Sequence, residues 1–142
     1  MDDFIRDSSD WLRRFSPDEW IRAALGELSR AEAAWGRGDA RSGAAGVKRA
    51  AGMGLNAALL VEPDPRWGRT YVEHVTALST DERVPEAVRE ACRRVLDAKA
   101  PSGDVVALRT PKGTAGNAAV FEAARDVVAH AWAVVKRHEH AV

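Results

Sequence analysis

The chain has 142 residues, 46% of them apolar and 30% charged, with 21 basic residues balanced by 21 acidic ones. That length suits one domain around one core. The zero net charge excludes a general nucleic-acid coat protein, which would be strongly basic, and leaves room only for a small basic site on a neutral surface.

Residues 1–16 read as a lead-in segment, with Phe4, Ile5, Trp11, Leu12 and Phe15 set among charges. The acidic start holds no long apolar run, so neither a signal peptide nor a membrane span is expected, and the protein is placed in the cytoplasm. Residues 17–142 read as a single helical domain, because alanine is abundant while β-branched and aromatic residues are sparse. Ser16-Pro17-Asp18-Glu19 marks a helix start: serine as N-cap, proline at the first helical position, glutamate closing a capping box. Trp20, Ala24, Leu28, Ala31 and Trp35 then follow at spacings of three and four, and Gly36-Arg37-Gly38-Asp39 ends this helix and caps the next.

The second helix spans about Ala40 to Val61 and carries Gly43, Gly46, Gly52 and Gly54. Each interior glycine costs roughly 1 kcal/mol against alanine, so four need a reason. Gly46, Ala50 and Gly54 form a nearly bare stripe that suits close approach of a neighbouring helix; the alternative is a kink near Gly52-Met53-Gly54. The prolines of Glu62-Pro63-Asp64-Pro65-Arg66-Trp67-Gly68 forbid helix there. A short helix is expected from about Arg69 to Leu78. Tyr71 and His74 fall in this loop-rich region, and His74 with Arg69 reads as surface structure rather than as a second site.

Val84-Pro85 opens another helix, with Val84, Val88, Ala91, Cys92 and Val95 inward and Glu86, Arg89, Glu90, Arg93 and Arg94 outward. Glu90 and Arg94 form a favourable i,i+4 pair, so that charge run reads as a solvated face. Cys92 is the only cysteine, which rules out an internal disulfide and a cysteine-based zinc site and suggests a buried, inert thiol. Ala100-Pro101-Ser102-Gly103 breaks the helix, Asp104 to Leu108 reads as extended or irregular, and Leu108 to Gly116 as a mobile loop that lacks the phosphate-loop pattern. The last helix is expected from near Asn117 to about His138. The fold expected is all-α, an up-and-down bundle of four to five helices.

In the last helix, Val120, Phe121, Ala124, Val127, Val128, Ala131 and Val135 share one broad stripe at 100° per residue. Glu122, Arg125, Asp126, Ala129, His130, Ala133 and Arg137 take the other side. His130 is therefore not a core histidine by pattern. Asp126 stands four residues before it, where a carboxylate can hold the ring and raise its basicity. Arg125 lies about 140° around the axis from His130, with Ala129 and Ala133 between them. Such a strip of small residues would let a symmetry mate approach, bringing two arginines and two histidines around one cleft. Histidine can move protons and arginine can hold a phosphate, so the set Arg125, Asp126 and His130 is the candidate catalytic site, with no metal or cofactor required. The five tryptophans read as core and interface rather than as a ligand cage.

These residues resemble the HEPN domain family of small prokaryotic helical proteins, over roughly residues 17–138. The hallmark of that family in its final helix is an arginine, a polar residue, three more residues and a histidine, which Arg125, Asp126 and His130 match. The first helix is similar through Trp20, Ala23, Leu28, Ala31, Trp35 and Gly38-Asp39, and the second through Ala50-Ala51, Leu55, Ala57 and Leu59-Leu60. The family often has a Glu-Lys pair where this chain has Gly52-Met53, and a lysine where it has Asn56. The resemblance implies a homodimer whose paired motifs cut single-stranded RNA without metal, often as a toxin neutralised by a nucleotidyltransferase-type antitoxin. It equally admits an inactive nucleotide- or protein-binding module, which the neutral charge and the missing Glu-Lys pair favour. DNA lacks the 2′-hydroxyl nucleophile and is not an expected substrate.

Overall fold

The computed structural model describes residues 9–98 and 110–140. Over these residues it is all-α, without strands. A short α1 (Ser9–Leu12) leads into α2 (Pro17–Gly36), α3 (Ala40–Val61), α4 (Tyr71–Ser79), α5 (Glu86–Leu96) and α6 (Thr110–His140), with a 3-10 turn at Pro65–Trp67. The five helices after α1 form a bundle in which each packs on the next, and α3 runs through the middle against α2, α4 and α6. None of the described helices is long and apolar enough to cross a membrane.

Local chemistry sets most boundaries. Ser16 accepts from the Glu19 amide at 3.1 Å while the Glu19 carboxylate accepts from the Ser16 amide at 2.8 Å, a reciprocal cap that fixes where α2 begins. Asp39 caps α3 through the Ser42 amide, and Gly38 makes the turn between the two helices at φ 85°. Thr70 and Glu73 build a second capping box at α4. On α5, Glu90 meets Arg94 at 3.4 Å and Arg93 at 3.0 Å, as a solvated charged face should.

The glycines of α3 are explained by close packing, and the helix runs unbroken from Ala40 to Val61. They do not share one neighbour. A Cβ at Gly46 would stand 2.9 Å from Ala31 of α2, and one at Gly54 3.2 Å from Val128 of α6. One at Gly52 would lie 2.2 Å from Tyr71 of α4. Glycine thus lets three helices close on α3 from different sides, and burial of their apolar faces offsets its lost helix propensity. Trp20, Leu28, Val47, Leu55, Val75, Leu78, Cys92, Val95, Val127 and Val135 fill the core between them.

Two expectations change. The last helix begins at Thr110, not near Asn117, so the segment read as a mobile loop is helical from Thr110 onward. Pro111 falls in the first turn, where its missing N–H costs no helix bond, and the glycines are carried by a helix of 31 residues. Residues 108–109, the break at 100–103, the stretch 104–108 and Phe4 and Ile5 lie outside the described residues. The second change is His74, which is fully buried in α4 rather than on the surface. Trp11 stacks on its ring at 6.4 Å between centroids, and Trp67 and Tyr71 pack at 6.2 and 6.5 Å. Of the lead-in segment, Trp11, Leu12 and Phe15 are therefore part of the packed structure. Trp11 closes this aromatic box, and the Leu12 carbonyl accepts from the Trp20 indole at 2.7 Å.

Candidate functional site

The outer side of α6 is where the sequence pattern puts it. Ala124, Val127, Val128, Ala131 and Val135 are buried, while Arg125, Asp126, Ala129 and Ala133 are exposed and His130 is half-buried. Within one chain, however, the three candidate residues face three different surroundings.

Arg125 lies toward α2. It shares an apolar groove of about 360 Å³ with Ile21, Leu25, Val128, Ala129 and Trp132, whose rim carries Asp18 and Arg22. Its one described side-chain partner is the exposed Glu122, at 3.2 Å. Leu25 and Trp132 are 50% and 37% exposed, the two largest apolar side chains left open on this face. Asp126 lies toward α5, in a shallow depression beside Glu90 and Arg94. His130 lines a third hollow, a cleft of about 550 Å³ between α6 and the connections on either side of α4.

The expected Asp126–His130 pair is absent: no hydrogen bond or ion pair joins them. Four-residue spacing puts two side chains on one helix face, yet each follows its own neighbours, and here α5 borders one and the 62–67 connection the other. The consequence for basicity is the reverse of that expected. Burial pushes the His130 imidazole below its ordinary value, the Arg137 guanidinium adds to this, and Glu62 opposes it. The ring is thereby held neutral at neutral pH, the form that can accept a proton.

The His130 cleft has an apolar floor of Ala58, Trp67, Leu78, Val84 and Val134 and a charged rim. Arg83 is clamped by Asp81, with Nε to Oδ1 at 3.0 Å and Nη2 to Oδ2 at 2.8 Å, and reaches Asp64 at 3.5 Å. This clamp holds the Asp81 carboxyl down at about 2. Among the described residues Arg137 donates once, to Glu62 at 3.0 Å, and the His138 ring donates to the same carboxylate oxygen at 2.6 Å. The His138 bond and then Arg137 hold the Glu62 carboxyl below its ordinary value.

No family model, no curated protein and no solved structure matches the chain. The site is therefore read from its own chemistry. Among the described residues no group of three or more His, Cys, Asp or Glu side chains is arranged to hold a metal ion.

Of the residues that line the cleft with His130, Arg137 is legible in the sequence, since seven residues return to within about 20° of the same azimuth. Glu62, Asp64 and Arg83 come from connections whose docking on α6 no local pattern encodes. His74 is the other histidine taken from water, and it is fully buried. Its Nδ1 lies 2.8 Å from the Trp67 carbonyl, which can only accept, so Nδ1 carries the proton. That leaves Nε2 buried without a partner among the described residues, as are both side-chain amide atoms of Asn56.

Proposed function

We propose that the protein is a homodimeric endoribonuclease that works on single-stranded RNA without a metal, with α6 as its reactive helix. The observation that carries this reading is His130: a half-buried imidazole, kept neutral by burial, on the wall of an open cleft and outside the core. Such a ring can take the proton of an RNA 2′-hydroxyl. The 2′-oxygen then attacks the adjacent phosphorus, the 5′-oxygen leaves and takes a proton, and the products are a 2′,3′-cyclic phosphate and a 5′-hydroxyl. Arg125 suits the charge that builds on the phosphoryl oxygens, because an exposed pair with Glu122 is readily exchanged for a phosphate.

Arg125 and His130 of one chain diverge by about 140° and stand about 7.5 Å apart along the axis. The reading therefore needs a second copy, and the groove holding Leu25, Ala129 and Trp132 is the face we assign to it. A two-fold contact pairs a patch with itself, so the acidic Asp18 of each copy can meet Arg22 or Arg125 of the other. As a toxin, the protein would be restrained by a nucleotidyltransferase-type antitoxin, the partner that the resemblance implies.

A second reading, a silent binding module, draws on the absence of an Asp126–His130 pair and on the carboxylates that already face Arg83 and Arg137. Incubation with varied single-stranded RNAs in EDTA separates the two. The enzyme reading expects cyclic-phosphate ends, lost in His130→Ala with the fold retained. Arg125→Ala should raise the barrier by about 2–4 kcal/mol, the scale for one lost charge-stabilising donor. Intact RNA with and without added metal would leave the binding module.

A further inference from the structure

The two guanidinium groups in the His130 cleft differ in how firmly they are held. Arg83 makes a two-point contact with Asp81 and a third contact with Asp64, so redirecting it would break a planar fork and give up two charge-assisted bonds to one carboxylate. Arg137 has one described contact, from Nη2 to Glu62, and both side chains of that pair are well exposed, at 65% and 45%. Glu62 would not be abandoned if Arg137 left, because His138 donates to the same oxygen at 2.6 Å. Arg137 also lies within about 20° of the azimuth of His130 and about 10.5 Å further along α6, so both reach one cleft from one helix face. Arg125 does not share that face.

We infer that Arg137 is a phosphate-binding residue of the His130 cleft, and that Glu62 is the counter-ion that holds its place until RNA arrives. This rests on the reading of α6 as an RNA-cleaving helix and adds to it a strand path: from His130 toward the end of α6, with Arg137 on a phosphate beyond the one being cut. RNA binding then exchanges one exposed ion pair for another, while Arg83 stays with Asp81 and Asp64 as a fixed wall. Glu62 thereby weakens binding, and the protein should improve when it is neutralised.

The test is fluorescence anisotropy with a labelled 2′-O-methyl oligoribonucleotide, which binds but has no 2′-hydroxyl to attack, read across a salt series. Removing one phosphate contact from a single strand lowers the slope of log affinity against log salt by about 0.7, which is about fivefold in affinity at 0.1 M salt. Arg137→Gln should show that loss. Glu62→Gln should tighten binding severalfold, and should tighten it much less when Arg137→Gln is also present. Circular dichroism confirms that each variant is folded, and Arg137→Lys, which keeps the charge, should regain most of the salt slope. Equal tightening by Glu62→Gln with and without Arg137 would show simple repulsion of RNA and overturn the inference. So would an unchanged Arg137→Gln affinity in a protein whose cleavage of ordinary RNA still depends on Arg125 and His130, and that outcome would leave the enzyme reading standing. A wild-type protein that neither binds nor cuts RNA would remove both.

Discussion

Gly52→Ala should destabilise the protein although alanine is the better helix former. The added Cβ would lie 2.2 Å from the Tyr71 Cβ, 2.5 Å from its Cγ and 2.6 Å from its Cα. Carbon atoms pack at about 3.5–4.0 Å, so the shortest contact falls short by more than an ångström. Rotating a side chain cannot relieve it, because Cα and Cβ move only with the backbone of α4. Overpacking costs about 1–3 kcal/mol, a contact this short belongs at the upper end, and helix propensity returns about 1 kcal/mol, so a net loss of about 2 kcal/mol is expected. Gly36→Ala is the control: nothing stands within 4 Å of its added Cβ, and reduced freedom of the unfolded chain should stabilise by up to about 1 kcal/mol. Equilibrium unfolding in urea, followed by tryptophan fluorescence, measures both. A Gly52→Ala protein as stable as wild type would mean that α3 and α4 do not approach as closely as described, and the packing account of the α3 glycines would fail.

Acid should weaken the fold before the carboxylates titrate. Burial pushes both His74 and His130 below their ordinary value of 6.5; a depressed histidine contributes stability that is complete above the unfolded value and is lost as pH falls toward the folded one. Urea midpoints should therefore drop from pH 7.5 to pH 5, and His74→Leu, which removes the more buried ring, should flatten that dependence. Cys92 is fully buried, with its thiol pushed up to about 12, so a thiol reagent should leave the native protein untouched and label one group only after denaturation. If the Leu25 and Trp132 groove is the two-fold contact, Leu25→Glu should shift sedimentation from dimer to monomer without loss of helix; a monomeric wild type at high concentration would end the shared-site reading.

The fold is legible in the sequence wherever its cause is local. Ser16 and Glu19 bond to each other across three residues, and the apolar stripe of α6 is a property of azimuth alone, so both can be seen in the sequence. The start of α6 is harder to place, because Pro111, Gly113 and Gly116 are turn residues in one context and acceptable early helix residues in another. His74 is hidden for a related reason. Nothing adjacent to it in sequence announces that Trp11 stacks on it or that the Trp67 carbonyl accepts a hydrogen bond from it. Burial of a histidine is decided by whatever covers it, and Trp11 and Trp67 cover this one from outside α4.

The candidate site divides along the same line. That Arg125, Asp126 and His130 avoid the core follows from helical geometry, and the structure agrees. What they do to one another does not follow, because each side chain answers to a different neighbour: Arg125 to the α2 groove, Asp126 to α5, His130 to the connection after α3. The same geometry limits what one chain can do. A base and a phosphate-holding cation about 140° apart on one helix cannot close on one phosphodiester. On the proposed reading a second copy supplies the arginine for the phosphate being cut, and Arg137, already in the His130 cleft, holds a phosphate beyond it. The Leu25 variant and the Arg137 variant weigh these separately, since the first changes assembly and the second changes only the charge within a cleft.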